Sequence, residues 1–321
     1  MKILVTGNLG YIGPVLTAAL MKAGHVVHGY DSALFAIFAT HSLPPVAHQT
    51  LADLRDERSL ATAIRECDAV IHLAAMSNDP LGELEPTVTR SVNLDATLRL
   101  MNLAADRRLV FYSSASVYGA NAATSTEGTA VQPLTLYSEL KVKAETAALQ
   151  NPRALVLRNG TVHGPAPVIR GDLLLNAMVA SAVTSGEVVL MTAPSTRRPV
   201  IDVRDLCALT VSLIASDTSG LYNSAATNTS VGEAAALVSE LTSARLVERH
   251  DGVDPRDYAM DTSRLRALVG SWWKPRPLAA SVRDLVAHYR EIGLTAHDVS
   301  SRRYHRLAQY QRHHATVSSG S

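Results

Sequence analysis

In the run Tyr137-Ser138-Glu139-Leu140-Lys141 a phenol and an ammonium stand four residues apart. On a helix that spacing puts both on one face, so the Lys141 charge lies near the Tyr137 hydroxyl and favours its phenolate. A free tyrosine titrates near pH 10, and bringing it to about 7 takes about 4 kcal/mol at about 1.36 kcal/mol per pH unit. One cation at about 4 Å in an effective dielectric of about 20 supplies about that much. A phenolate of this kind takes the proton from a hydroxyl, and the hydrogen on the adjoining carbon can then leave as hydride. Such chemistry needs a hydride acceptor held nearby.

The N-terminus offers a place for one. Directly after the first apolar run comes Thr6-Gly7-Asn8-Leu9-Gly10-Tyr11-Ile12-Gly13. Its glycines are spaced so that the backbone turns tightly, approaches a pyrophosphate and opens a helix whose N-terminus faces the phosphates. Asp31 ends the second expected strand, where a carboxylate accepts both hydroxyls of an adenosine ribose and repels a 2′-phosphate. Ser32, Ala33 and Leu34 bring no arginine for such a phosphate, which favours NAD over NADP. Asp53 follows the third strand and can accept from the adenine amino group while Leu54 packs on the ring; Asp56 reads as a helix cap. Leu73, Ala74 and Ala75, after the fourth strand, are small enough to let backbone lie against the cofactor.

These residues need a sheet to hold them. Apolar runs rich in β-branched residues alternate with longer amphipathic stretches, the pattern of βαβ units feeding a parallel sheet. Strands are expected at 2–6, 25–30, 46–51, 69–73, 109–113 and 154–158, and helices at 12–23, 56–66, 85–105 and 136–149. Right-handed crossovers make this a doubly wound α/β sheet with its ligand crevice at the carboxyl ends of the strands. Residues 1–164 read as a dinucleotide-binding domain of Rossmann type, to which a segment near 199–216 returns. After Gly164-Pro165-Ala166-Pro167 the alternation fades, and 165–315 read mainly as a smaller mixed α/β substrate-binding domain with a C-terminal helix. The stretch 300–314, with Arg302, Arg303, Arg306, Arg312 and three histidines, reads as a solvated helix or a subunit contact without chemistry, and 316–321 as a disordered tail.

Composition narrows the setting. The apolar share of 47% over 321 residues supports a sizeable core. Thirty Lys and Arg against 29 Asp and Glu leave no dense basic block for nucleic acid. Cys67 and Cys207 are the only cysteines and lack ligand spacing, so neither a disulfide framework nor a metal site is expected. No apolar run approaches about 20 residues, and no signal peptide or membrane span is expected. A cytoplasmic protein fits best.

Together these motifs resemble the extended short-chain dehydrogenase/reductase family, in its NAD-dependent epimerase/dehydratase branch acting on nucleotide sugars. Gly7, Gly10 and Gly13 match that family's Thr-Gly-x-x-Gly-x-x-Gly loop, and Asp31 and Asp53 match its ribose and adenine contacts. Asn93 matches the asparagine that steadies the active-site backbone. The run Tyr112-Ser113-Ser114-Ala115-Ser116-Val117-Tyr118-Gly119 matches the fifth-strand signature. The resemblance thus implies a catalytic Ser114, Tyr137 and Lys141. Tyr137 is the acid/base, Ser114 donates to the same substrate oxygen, and Lys141 binds the nicotinamide ribose and keeps Tyr137 acidic. The family's 4,6-dehydratases carry Asp and Glu where this chain has Ala115 and Ser116, which argues against elimination and leaves a 4-epimerase type of reaction.

The resemblance also places substrate groups. Arg198 matches the arginine that clamps the sugar-nucleotide diphosphate, a task suited to a planar guanidinium, and Arg256 falls in a second such segment. Ser77 and Asn78 follow the fourth strand within reach of a sugar ring, and Ser116 adjoins the catalytic hydroxyl. The family's Leu-Arg-x-x-Asn appears as Leu157-Arg158-Asn159-Gly160-Thr161, which puts Thr161 at the usual asparagine and Asn159 two earlier. A homodimer is usual in the family. The expectation is therefore an NAD-dependent nucleotide-sugar epimerase, with a ketoreductase or dehydrogenase as alternative. An NAD-binding regulator without catalysis is a third reading, but it has no physical need for Ser114, Tyr137 and Lys141 together.

Overall fold

The structure, a computed structural model, describes residues 1–77, 79–249 and 256–318, with backbone alone for 314–318. Among the described residues the main sheet has seven strands, in the spatial order Gly220–Ser224, Ala154–Asn159, Arg108–Ser114, Ala69–His72, Lys2–Thr6, Val26–Asp31, His48–Leu51. Every neighbouring pair is parallel. Six of these were expected within a residue or two of where they lie. The seventh, Gly220–Ser224, was not.

Successive side chains of a strand face opposite sides, and both sides here are apolar. Ile3, Val5, Ile71, Val110, Leu155 and Leu157 bury one face, together with Leu16 and Leu20 of the helix Gly13–Lys22 and Leu206, Leu209 and Leu213 of the helix Val203–Ile214. Leu4, Val70, Leu109, Phe111 and Val156 bury the other against Leu60, Leu100 and Ala144. Lys2–Thr6 pairs with Val26–Asp31 on one side and Ala69–His72 on the other. Chain order reverses at that point, and the carboxyl ends of these strands open the crevice.

Beyond the sheet, the helices Leu174–Ser185, Val231–Thr242 and Leu278–Glu291 share a second core around Leu175, Val179, Val238 and Leu285. A short sheet of Thr161–His163, Arg197–Asp202 and Thr227–Ser230 joins this layer to the first.

The helix expected at 85–105 lies at 86–103, continuous through Pro86–Arg90, a π turn Ser91–Ala96 and Thr97–Leu103, and a separate short helix Asp79–Leu84 precedes it. Pro86 can begin a helix but cannot continue one, and the wide turn at 91–96 turns Asn93 inward, as π turns at functional sites often do. The tail expected to be disordered from 316 continues as helix, Arg306–Ser318, while 319–321 lie outside the described residues.

The ends of two central strands are tied by a buried ion pair. Glu145 accepts from Arg158 Nη2 at 2.6 Å and from Nε at 3.0 Å, and its second oxygen takes the Ser113 hydroxyl at 2.8 Å. Arg158 also donates to the Tyr118 hydroxyl. Removing one member of a buried pair leaves an unpaired charge. Glu145→Ala is therefore expected to cost about 3–5 kcal/mol in urea unfolding, and the joint change Glu145→Leu with Arg158→Met to cost less than that single one.

Candidate active site

The glycine loop leaves the first strand at Gly7, whose amide donates to Tyr30 O at 2.8 Å and whose φ is +77°. A side chain there would meet Ala74 N at 2.8 Å, and one on Gly13 would come within 2.3 Å of Gly7 O. Loop, helix start and fourth-strand end are therefore packed backbone to backbone, the close approach that only glycine permits. Asp31 holds the same loop: its carboxylate accepts from the Leu9 amide at 3.0 Å and the Ala33 amide at 2.8 Å. Burial raises the Asp31 carboxyl above its ordinary range, against the two amides and the charge of Arg306.

A cleft of about 540 Å³ runs from this loop across the carboxyl edge of the sheet. Gly7, Gly10, Tyr11, Ile12, Gly13, Asp31, Asp53, Leu54, Leu73, Ala74 and Ala75 line it, and so do Ser114, Tyr137 and Lys141. The sequence expectations thus converge on one space. Asp53 arrives already paired, since Arg55 grips both its oxygens at 2.9 and 2.7 Å and holds its carboxyl below the usual range. Asn93 does not face the cleft: its side-chain amide accepts from Met76 N at 2.7 Å and donates to Met76 O at 3.0 Å. It fixes the backbone beside the cleft and is not itself on the cleft wall.

Where Ser114 and Tyr137 line the cleft, Ser114 Oγ lies 2.8 Å from Ser116 Oγ. The Tyr137 phenol is pushed up, not down: burial is the main cause and Asp79 adds to it, while Arg170 and the Ser114 hydroxyl oppose it. Lys141 stands farther from the phenol than its spacing promised. Its Nζ donates to Tyr112 O at 2.7 Å and stands 5.7 Å from the centre of the Tyr137 ring. Burial lowers its own ammonium to about 8, with Glu145 opposing. In a dry site each cation costs desolvation before it can help a neighbour.

Of the residues expected to meet a substrate, Ser77, Ser116, Asn159, Thr161 and Arg256 line the cleft, and Asn78 lies outside the described residues. Asn159 Oδ1 is buried without a hydrogen-bond partner, which leaves an acceptor open to a ligand. Arg256 pairs with Asp79, whose other oxygen accepts from Thr135 at 2.6 Å. Arg198 is not on the cleft wall. Its Nη1 donates to the carbonyls of Arg197 and Arg256, at 2.8 and 2.6 Å, so it supports Arg256 from behind.

Besides Arg55, already described on Asp53, two further arginines on the wall were missed. Arg170 binds Asp172 at 2.8 Å and Ser77 Oγ at 3.1 Å, and its charge reaches Tyr137. No motif marks it. Arg306 belongs to the C-terminal helix that was read as solvated; Arg306, Tyr310 and His313 line the cleft, and Tyr310 packs with Met76 and Leu81. The apolar loop after Asp31 explains this in part, because Leu34 packs against that cluster and Phe35 lies under Arg306.

A doubly wound sheet whose first turn is a glycine loop over a cleft of this kind places the chain among dinucleotide-binding α/β proteins. More narrowly, it belongs to the NAD dependent epimerase/dehydratase family, whose profile matches residues 3–225. UDP-glucose 4-epimerase of Lactobacillus helveticus is 34% identical over 156 residues, 45% of each chain. The chain spans about half the length of the curated relatives it matches. Among solved structures, MoeE5 in complex with UDP-glucose and NAD superimposes with a TM-score of 0.75 at 25% identity, over 91% of this chain and 99% of that one. The UDP-glucose 4-epimerase of Thermus thermophilus in complex with NAD gives 0.77 at 24%, over 90% and 99%, which shows the shared fold. No helix among the described residues is long and apolar enough to cross a membrane.

The Lys141 shift has a sign that can be measured. Its folded pKa, about 8, lies below the ordinary lysine value of about 10.4. Between the two the unfolded chain binds more protons, so stability rises with pH. Urea midpoints of the cofactor-free protein at pH 7.5 and 9.5 should show this rise relative to Lys141→Met, in which Lys141 no longer contributes.

Proposed function

We propose that the chain is an NAD-dependent epimerase of a nucleotide-activated sugar, of the 4-epimerase type. The carrying observation is that Tyr137, beside Ser114, stands on a wall whose carboxylates, among the described residues, are all engaged. Asp31 is taken by two backbone amides, Asp53 by Arg55, and Asp79 by Thr135 and Arg256. Ala115 and Ser116 bring no acid beside Ser114, so nothing there is poised to expel water from a neighbouring carbon.

The residues fit the cofactor. The packed glycine loop leaves backbone, not side chain, at the cleft floor, and Asp31 stands at the end of the second strand for the adenosine ribose. NAD, when bound, supplies the hydride acceptor and donor and a positive ring near Tyr137. Tyr137 takes the proton from the sugar hydroxyl and later returns it, and Ser114 donates to the same oxygen. Lys141, held on Tyr112 O, keeps a positive charge at this end. Arg256 and Arg170 present guanidinium groups to the phosphates of the activated sugar, with Ser77, Asn159 and Thr161 along its length. A ketoreductase uses the same groups once per cofactor and is the alternative.

Denaturing the purified protein and identifying the released dinucleotide separates the two. Stoichiometric NAD, with interconversion of nucleotide-sugar epimers and no net consumption of cofactor, is the expected result. An empty protein that oxidises reduced cofactor only when given a keto sugar identifies the reductase. Tyr137→Phe should lower turnover by about 10²–10⁴-fold while retaining the nucleotide; undiminished turnover would remove Tyr137 from the chemistry.

A further inference from the structure

Arg306 is the first residue of the helix Arg306–Ser318, and it is 3% exposed. A buried guanidinium normally meets a carboxylate. This one does not: among the described residues its recorded hydrogen bond is Nη1 to Gln309 Oε1 at 2.8 Å, and its plane rests on Phe35 with 3.9 Å from the guanidinium carbon to the ring centre. An arginine carries five N–H donors, so most of the fork is uncommitted at the wall of the cleft. The carboxylates near it are employed elsewhere, Asp31 by the Leu9 and Ala33 amides and Asp172 by Arg170. Burial first and the charge of Arg170 second pull its guanidinium down to about 9, and only Asp172 and Asp31 oppose them. The cleft therefore holds positive charge that the chain does not neutralise.

The position says which anion fits. Arg306 feels Asp31, at the adenosine-ribose end, and also Arg170, which reaches Ser77 and Tyr137 at the reacting end. Between the ribose of an adenosine and a nicotinamide lies a pyrophosphate. We propose that Arg306 binds the pyrophosphate of the dinucleotide, so that the C-terminal helix adds a second phosphate-binding element to the glycine loop and covers the adenosine half of the cofactor. Tyr310 and His313 come from the same helix and line the same cleft, and Tyr310 anchors it on Met76 and Leu81. A guanidinium fork suits two adjacent phosphate oxygens. Held from both sides, the cofactor leaves slowly, as a cofactor regenerated within each turnover requires.

This inference rests on the dinucleotide reading above and is tested on the full chain, stripped of nucleotide, by calorimetric titration and by the rate at which bound NAD is lost. Arg306→Met is expected to weaken NAD and NADP alike by about tenfold or more, the scale of a charged hydrogen bond, to speed NAD loss to match, and to leave adenosine binding unchanged. Arg306→Lys should recover part of the loss. Equal weakening of adenosine would mean that the helix only covers the site, a selective loss of NADP would place Arg306 at a 2′-phosphate, and unchanged NAD affinity would leave it without a phosphate; each overturns the proposal. Should the Met variant not fold, Arg306→Gln is read by the same outcomes. Wild-type protein that binds no NAD would refute the cofactor reading itself, whereas wild-type binding with an unaffected variant refutes only the role of Arg306.

Discussion

The backbone of the glycine loop lies so close to the helix it opens and to the end of the fourth strand that no side chain fits between them. A Cβ on Gly13 would fall 2.3 Å from Gly7 O, and one on Gly7 would fall 2.8 Å from Ala74 N. This contact fixes how far the helix Gly13–Lys22 stands from the sheet and which atoms form the floor of the cleft. Asp31 enforces it from the second strand through the Leu9 amide. The third wall, Met76 and Ser77, is held by the Asn93 amide from the π turn. Backbone contacts thus shape the floor, and the ionisable groups are arranged above it.

Those ionisable groups are governed first by burial. It raises the Tyr137 phenol, lowers the Lys141 ammonium and lowers the Arg306 guanidinium, in each case as the largest cause. Without its ligands the cleft disfavours the charged form of these three groups. A bound anion near the arginines and a cationic ring near the phenol relieve both penalties at once. Electrostatic complementarity between site and ligands therefore appears as discomfort in the free protein, and it makes binding and acid–base activation parts of one process.

Much of this was legible in the sequence, and the failures have physical causes. The inner strands stood out because a parallel sheet buried on both faces demands apolar, β-branched runs such as Ile3 to Val5 and Ala69 to Ile71. Gly220-Leu221-Tyr222-Asn223-Ser224 carries no β-branched residue and forms an edge strand, so its pattern did not announce it. The glycine loop and Ser114, Tyr137 and Lys141 were visible because their backbone and spacing requirements are local. Arg170 and Arg306 were not, since a guanidinium in a loop or at a helix start looks the same in sequence whether it meets water or a cleft. Arg198 was placed one layer too far forward, as its carbonyl partners on Arg197 and Arg256 are set by tertiary packing. The spacing of Lys141 from Tyr137 showed that the two share one face, but not that Nζ would be drawn to Tyr112 O and stand 5.7 Å from the ring centre, with its own charge desolvated.

The helix Val203–Ile214 covers the helix Gly13–Lys22 from the far end of the sequence, and the strand Gly220–Ser224 completes the sheet beyond Ala154–Asn159. The first 164 residues therefore share their core with later chain, in part with the segment near 199–216 that was expected to return to them. Cut at 164, they would uncover the side of the helix Gly13–Lys22 that meets Val203–Ile214 and leave a sheet edge unpaired, a surface prone to association. Contacts this distant in sequence are slow to form, because loop closure must precede the burial that rewards it. During synthesis the nucleotide cleft has its floor long before it has its back, and the early half of the chain must wait, with an apolar helix face uncovered, for the later half to arrive.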